Sequence, residues 1–366
     1  MKSLRVLMTA ALVAGGFAST AFAEEEKKLN IYNWSDYIAE DTIAKFEAET
    51  GIKVTYDVYD SNEMLDGKLL AGRSGYDLAV PTGPFFARQI QAGIFGELDK
   101  AAIPNLANLD PKIMGQAAAY DKDNAHGIVY MWGTNGIGYN AEKVTAAAGA
   151  EAPVDSWALV FDPAWAEKVS TCGLYLMDSP SEVIPAALKY LGLDPNSTNP
   201  DDYQKVEDML MKVRPYVTKF HSSEYISALA NGDICVAMGF SGDIAQATAR
   251  ADEAKNGVTV SYSIPKEGAE MWFDFMGVLK DAPHPENAMA FINFVLKPEI
   301  TADITNFVWY ANANAKSTPL VDEGVRTDPG VYPTPATMDT LFVKTTLPQK
   351  VERLRTRLWN KVKTGT

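Results

Sequence analysis

Three runs decide the fold: LNIYNW at 29–34, IKVTYDVY at 52–59 and YDLAV at 76–80. Each is rich in aromatic and β-branched residues and predicts a strand. Between the first two, Asp36 to Thr50 is made of helix formers with Ile43 and Phe46 on one side, and Gly51 stops it. Between the second and third, Ser61 opens a helix that runs through Leu65, Leu69 and Leu70 to Gly72. Strand, helix, strand, helix, strand is the start of a parallel α/β sheet with right-handed crossovers. Ligands of such sheets bind beyond the carboxyl ends of the strands. That rule points to Trp34, Ser35, Asp36 and Tyr37 after the first strand and to Thr82 after the third.

A second α/β pattern fills 135–255, with strands expected at 136–139, 173–177 and 234–238 and helices at 181–191, 201–213 and 224–230. Strands at 258–264 and 273–279 and a helix at 285–296 follow. At 366 residues the chain exceeds what one core usually organises, so two lobes are expected. The pattern assigns 24–133 and 256–312 to the first and 134–255 and 313–366 to the second, joined by ordered chain that crosses more than once. The basic stretch Lys350 to Lys363 carries Val351, Leu354, Leu358 and Val362 at helical spacing and is expected to pack on its own lobe rather than on phospholipid.

Lys and Arg number 33 against 47 Asp and Glu, a net charge of −14 that disfavours a nucleic-acid partner. Lys2 and Arg5 precede the apolar run Val6 to Phe17, and Ala21-Phe22-Ala23 is a small-x-small cleavage signal. Residues 1–23 therefore read as a secretory signal peptide, its apolar run too short for a membrane span of about 20 residues, and the rest as exported and soluble. Cys172 and Cys235 are the two cysteines. In an oxidising compartment a disulfide is the simplest reading, closing a loop of about 60 residues worth about 4 kcal/mol on the chain-entropy model; two buried free thiols are the alternative.

Catalytic motifs are approached and missed. Gly136-x-Gly138-x-x-Ala141 spells a dinucleotide fingerprint without the strand-to-helix setting or the acidic residue that the ribose needs. Asp121 to Asn124 begins like a calcium loop, but Ala125, His126 and Trp132 stand where ligands and Gly belong, so it reads as a turn. Gly239 to Gly242 is one residue short of a nucleophile elbow. His126, His221 and His284 lack zinc-ligand spacing. No enzyme activity, metal or cofactor is expected.

Four groups of carboxylates and aromatic or hydroxyl residues stand at predicted strand ends: Trp34 to Tyr37, Asp178 to Glu182, Phe240 to Asp243, and Trp272 to Asp274. Any one of them is accounted for as a helix cap or a core residue. Together they suit a ligand that is cationic with an apolar body, because a desolvated ammonium needs carboxylate partners and aromatic faces add cation–π attraction. An anion would want Arg or Lys, which the four groups lack. An exported hydrolase with paired carboxylates as acid and base is the competing class.

The segments NWSDY (33–37), YDSNE (59–63), GYDLAVP (75–81), WGTNG (132–136), HSSEYI (221–226), NGDICVA (231–237) and YAN (310–312) resemble the periplasmic polyamine-binding proteins of bacterial ABC transporters, and the likeness covers essentially all of the chain after residue 23. The resemblance implies a type II periplasmic binding protein fold, two α/β lobes closing over putrescine or spermidine, with a membrane-embedded ABC permease as partner and a monomer as the working form. It also implies that Trp34, Tyr37, Phe240, Trp272 and Tyr310 box the alkyl chain, that Asp36, Asp243 and Asp274 bind ammonium groups, and that Ser35, Thr82 and Glu182 add polar contacts. The paired cysteines fit the family's disulfide. Phe240 stands where Trp is common in putrescine-binding relatives and Trp272 where Phe is common, the latter resembling a spermidine-preferring branch; Thr82 replaces the usual Ser. Another cationic solute, or a sensor that signals closure to a membrane receptor, are the other readings.

Overall fold

The computed structural model describes residues 25–365, so the predicted signal peptide lies outside the described residues. Ten strands form: β1 (Lys28–Trp34), β2 (Lys53–Tyr59), β3 (Leu78–Ala79), β4 (Gly127–Asn140), β5 (Leu174–Leu176), β6 (Lys219–Phe220), β7 (Val236–Phe240), β8 (Val260–Ser263), β9 (Met271–Val278) and β10 (Ala311–Asn312). They run in the order β2-β1-β3-β9-β4-β7-β5-β6, with β8 and β10 also paired to β4. The expected parallel arrangement holds at each end: β1 lies parallel to β2 and β3, and β5 to β6 and β7. Between them, β4 is antiparallel to β9 over its first half and to β7 and β8 over its second. One 14-residue strand thus threads both halves, where the sequence pattern predicts only its last part.

Each half has its own core. Leu29, Ile31, Phe46, Phe86, Phe275 and Phe291 gather in one, and Ile137, Trp157, Leu176, Val206, Val236 and Trp359 in the other, with a smaller cluster around Tyr225 and Ile244 beside the second. Core membership places three crossings: inside β4, between Ala269 and Met271, and near Leu341, which touches both cores. These crossings differ from the boundaries expected after 255 and 312. Strand β8 pairs with the second half of β4, and Val321, Val325 and Val331 pack in the first core. Alternation marks a strand without saying which sheet receives it.

The closing helix Gln349–Thr364 buries Val351, Leu358, Trp359 and Val362 in the second core, as its spacing predicts. Cys172 and Cys235 are joined, with Cα atoms 5.4 Å apart, just ahead of the parallel neighbours β5 and β7. Gly136 and Gly138 sit within β4, where a Cβ would strike Ser263 and Tyr262 or Ile244, so these glycines serve sheet packing rather than a dinucleotide. Asp121 accepts from the backbone N–H groups of His126 and Gly127, which makes its segment a turn. Among the described residues no group of His, Cys, Asp or Glu could hold a metal ion, and no helix is long and apolar enough to cross a membrane.

Candidate functional site

Between the two cores lies a cavity of ≈ 450 Å³, part of it open to solvent. Trp34, Ser35, Tyr37, Thr82, Glu182, Phe240, Asp243, Trp272, Asp274 and Tyr310, all expected from the sequence, line it together with Tyr59, Asp60, Ser222 and Ser223. Strand ends aim these side chains. Trp34 closes β1 and donates its indole N–H to the Val80 carbonyl at 2.8 Å; Thr82 follows β3 and heads the helix Gly83–Gln91; Phe240 ends β7, and Asp243 stands in the first turn of the helix Ser241–Ala254. Trp272 and Asp274 lie two apart on β9 and so share a face.

The rings touch edge to face in an unbroken series. Centroid distances are 6.0 Å from Trp34 to Phe240, 5.8 Å from Phe240 to Trp272, 5.2 Å from Trp272 to Tyr310 and 5.2 Å from Tyr310 to Tyr37. Such edge contacts leave ring faces available for alkyl or cationic groups.

Two carboxyls stand in this apolar frame. Asp274 accepts from the Thr82 hydroxyl at 2.6 Å, and Thr82 in turn is held by Asn62. Asp243 accepts from Tyr225 at 2.5 Å and from Tyr310 at 2.8 Å. Burial pushes both up to about 7, although the hydroxyls that donate to them pull the other way. Neither has an ion-pair partner among the described residues. The Trp272 indole N–H and the Ser222 hydroxyl are buried along the same cavity without hydrogen-bond partners among the described residues, and the Tyr37 hydroxyl faces Asp274. Buried polar atoms in native proteins are nearly always paired, so this cluster marks a site built for a ligand.

Glu182 differs. Its carboxylate binds the Lys344 ammonium at 2.8 Å and the Asn135 amide at 2.6 Å, and Lys344 also binds Glu270 at 2.9 Å. Burial alone would raise Glu182, but Lys344 outweighs it and the carboxyl falls to about 2, while burial and the neighbouring Glu182 hold Glu270 well above the usual carboxylate range.

Asp36, expected as an ammonium ligand, is placed apart from the other expected residues. Its φ of 54° turns the chain after β1, and its half-exposed carboxylate meets Arg250 of the opposite lobe at 2.6 Å, outside the cavity lining. Gln246 donates to its carbonyl at 3.1 Å. Asp36 thus ties the lobes together instead of facing the cavity. Asp178, from the second acidic group, likewise serves Trp359 and Lys363. Asp60, which the strand-end rule applied to β2 would have found, accepts from Ser35 at 2.6 Å. Gly242 is required by this closed arrangement, since a Cβ there would run into the Val308 carbonyl and the Tyr310 ring.

Residues 41–333 match the family model described as bacterial extracellular solute-binding protein. The chain belongs to that family. The binding protein is 54% identical over its whole length, and the whole length of the relative, to the putrescine-binding periplasmic protein SpuD of Pseudomonas aeruginosa. It is 51% identical to the putrescine-binding periplasmic protein PotF of Escherichia coli, again covering 100% of both chains. Its fold superposes with a TM-score of 0.73 on the spermidine/putrescine ABC transporter substrate-binding protein PotD of Streptococcus pneumoniae, at 30% identity, covering 92% of this chain and 99% of that one. The binding protein therefore has the two-lobe periplasmic binding protein fold expected from its sequence, and its identity is higher to the two putrescine-binding relatives than to PotD.

Proposed function

We propose that the protein is a periplasmic receptor that captures a short polyamine, putrescine foremost, between its lobes and delivers it to an ABC transporter permease. The observation that carries this reading is the pair Asp243 and Asp274: two buried carboxyls, without an ion-pair partner among the described residues, framed by a series of aromatic edges. Two protonated amines joined by methylenes supply the missing charge and fill the apolar space. The identity to putrescine-binding relatives supports the same ligand. The two moving bodies are 25–134 with 270–340, and 135–269 with 341–365, hinged at the three crossings, and the protein works as a monomer without a chemical step.

Ligand binding to one lobe favours closure because the other lobe then completes its coordination. Contacts of the closed form include Arg250 with Asp36 and Tyr310 with Asp243. Calorimetric titration tests the reading: putrescine binds with a Kd of about 1 μM or tighter, and its uncharged isostere butane-1,4-diol does not bind. Equal binding of the two, or no binding of putrescine, overturns it. Loss of labelled putrescine uptake in cells lacking the protein tests delivery.

A further inference from the structure

Lys344 is a buried cation bound to Glu182, a residue of the cavity lining. Its ammonium is held by Glu182 at 2.8 Å, Glu270 at 2.9 Å and the Ser181 carbonyl at 3.0 Å, and all three side chains of the ion cluster are nearly inaccessible. Asn135 bridges the two carboxyls, donating to Glu182 at 2.6 Å and Glu270 at 3.1 Å. The cluster stands on the hinge. Asn135 belongs to β4 where it crosses, Glu270 to the second crossing, and Lys344 to the chain just past the third, where Phe342 pairs with Glu270.

The cluster also reaches the site, because Glu182 lines the cavity. The two ligand carboxyls face different charged surroundings: Asp243 feels Asp36 and Arg250, whereas Asp274 feels Glu182 and Lys344. At Glu182, then, the cavity lining includes a carboxylate already neutralised by an ammonium of the protein itself. A diamine needs only Asp243 and Asp274. A longer polyamine brings a further protonated nitrogen, and at Glu182 it meets a carboxylate that Lys344 already occupies.

We propose that Lys344 is a specificity-determining residue that limits the site to short diamines by occupying, with its own ammonium, the Glu182 carboxylate that would otherwise accept a third ligand ammonium. This rests on the polyamine reading above and specifies where the length limit is set. Lys344 acts through Glu182 and Glu270 and is a positioning residue.

The test is calorimetric titration of putrescine and spermidine into wild type, K344Q, K344R and the double variant K344Q/E270Q, with thermal unfolding as a check on folding. Wild type prefers putrescine. K344Q shifts the spermidine-to-putrescine affinity ratio toward spermidine by about tenfold or more, because the freed acceptors take the third ammonium. K344R, which keeps the cation, retains the wild-type ratio. The double variant removes the second buried carboxylate, so that if K344Q alone fails to fold it carries the test, with Glu182 left to accept the ligand and the same shift expected. An unchanged ratio in a folded K344Q or K344Q/E270Q, or a wild-type preference for spermidine, overturns the proposal while leaving putrescine capture standing. Failure of wild type to bind either polyamine removes capture itself and this assignment with it.

Discussion

Two pairs of buried carboxyls lie within one interlobe region and behave in opposite ways. Glu182 and Glu270 enclose the Lys344 ammonium, and among the described residues Asp243 and Asp274 have only hydroxyl donors. Burial is similar for all four, from 3% to 8% exposed. What differs is where the counter-charge comes from. Supplied by the chain, it makes a structural cluster at the hinge; left to the ligand, it makes a receptor for amines.

The largest expected effect tests the first pair. Lys344→Ala leaves two buried carboxyls without a cation and costs about 3–5 kcal/mol of folding stability by denaturant unfolding. A loss below about 1 kcal/mol would erase the distinction between the pairs. Asp243→Ala or Asp274→Ala should weaken putrescine binding by about 2–5 kcal/mol, read by calorimetry, since each leaves a buried ammonium unpaired. Full affinity in both variants contradicts the site.

Acidity sharpens the contrast next. Asp243 and Asp274, raised to about 7 from 3.8, add stability to the ligand-free protein that is complete below pH 3.8 and is lost as pH rises through about 7. Glu182, held at about 2, contributes stability present above 4.5 and lost as pH falls through about 2. Asp243→Asn should therefore stabilise the ligand-free protein at about pH 8 by on the order of 1–3 kcal/mol and flatten its decline between about pH 4 and 8. Unchanged pH dependence of thermal unfolding would contradict the burial argument. The smallest effect belongs to Asp36→Ala: its ion pair with Arg250 is 38–40% exposed, so putrescine affinity falls by less than about 1 kcal/mol. A loss as large as that of Asp243→Ala would restore Asp36 as an ammonium ligand.

How far the sequence discloses this contrast depends on the range of the interactions. Parallel strands separated by helices are local patterns, and β1, β2 and β3 fall where alternation and turn residues put them. Trp272 and Asp274, or Phe240 and Asp243, are close in sequence on a strand or at a strand-to-helix junction, so their shared orientation is visible without coordinates. Asp36 looks identical in one dimension, but one left-handed residue turns it toward Arg250, 214 positions away. Lys344 carries no local mark, since its partners, Glu182 on the helix Pro180–Tyr190 and Glu270 at the second crossing, are remote in sequence. For the same reason β8 was assignable as a strand and not to a lobe. The expectation from Trp272 of a spermidine-like branch sits beside higher identity to putrescine-binding relatives.

The central claim is that Asp243 and Asp274 are partly protonated until an amine ionises them. Titrating putrescine at about pH 7 in buffers of different ionisation enthalpy measures the protons exchanged on binding. The account predicts net release, on the order of one proton from two carboxyls near their midpoints, and loss of that release in Asp243→Asn combined with Asp274→Asn. Tight binding by wild type with no proton release would contradict it.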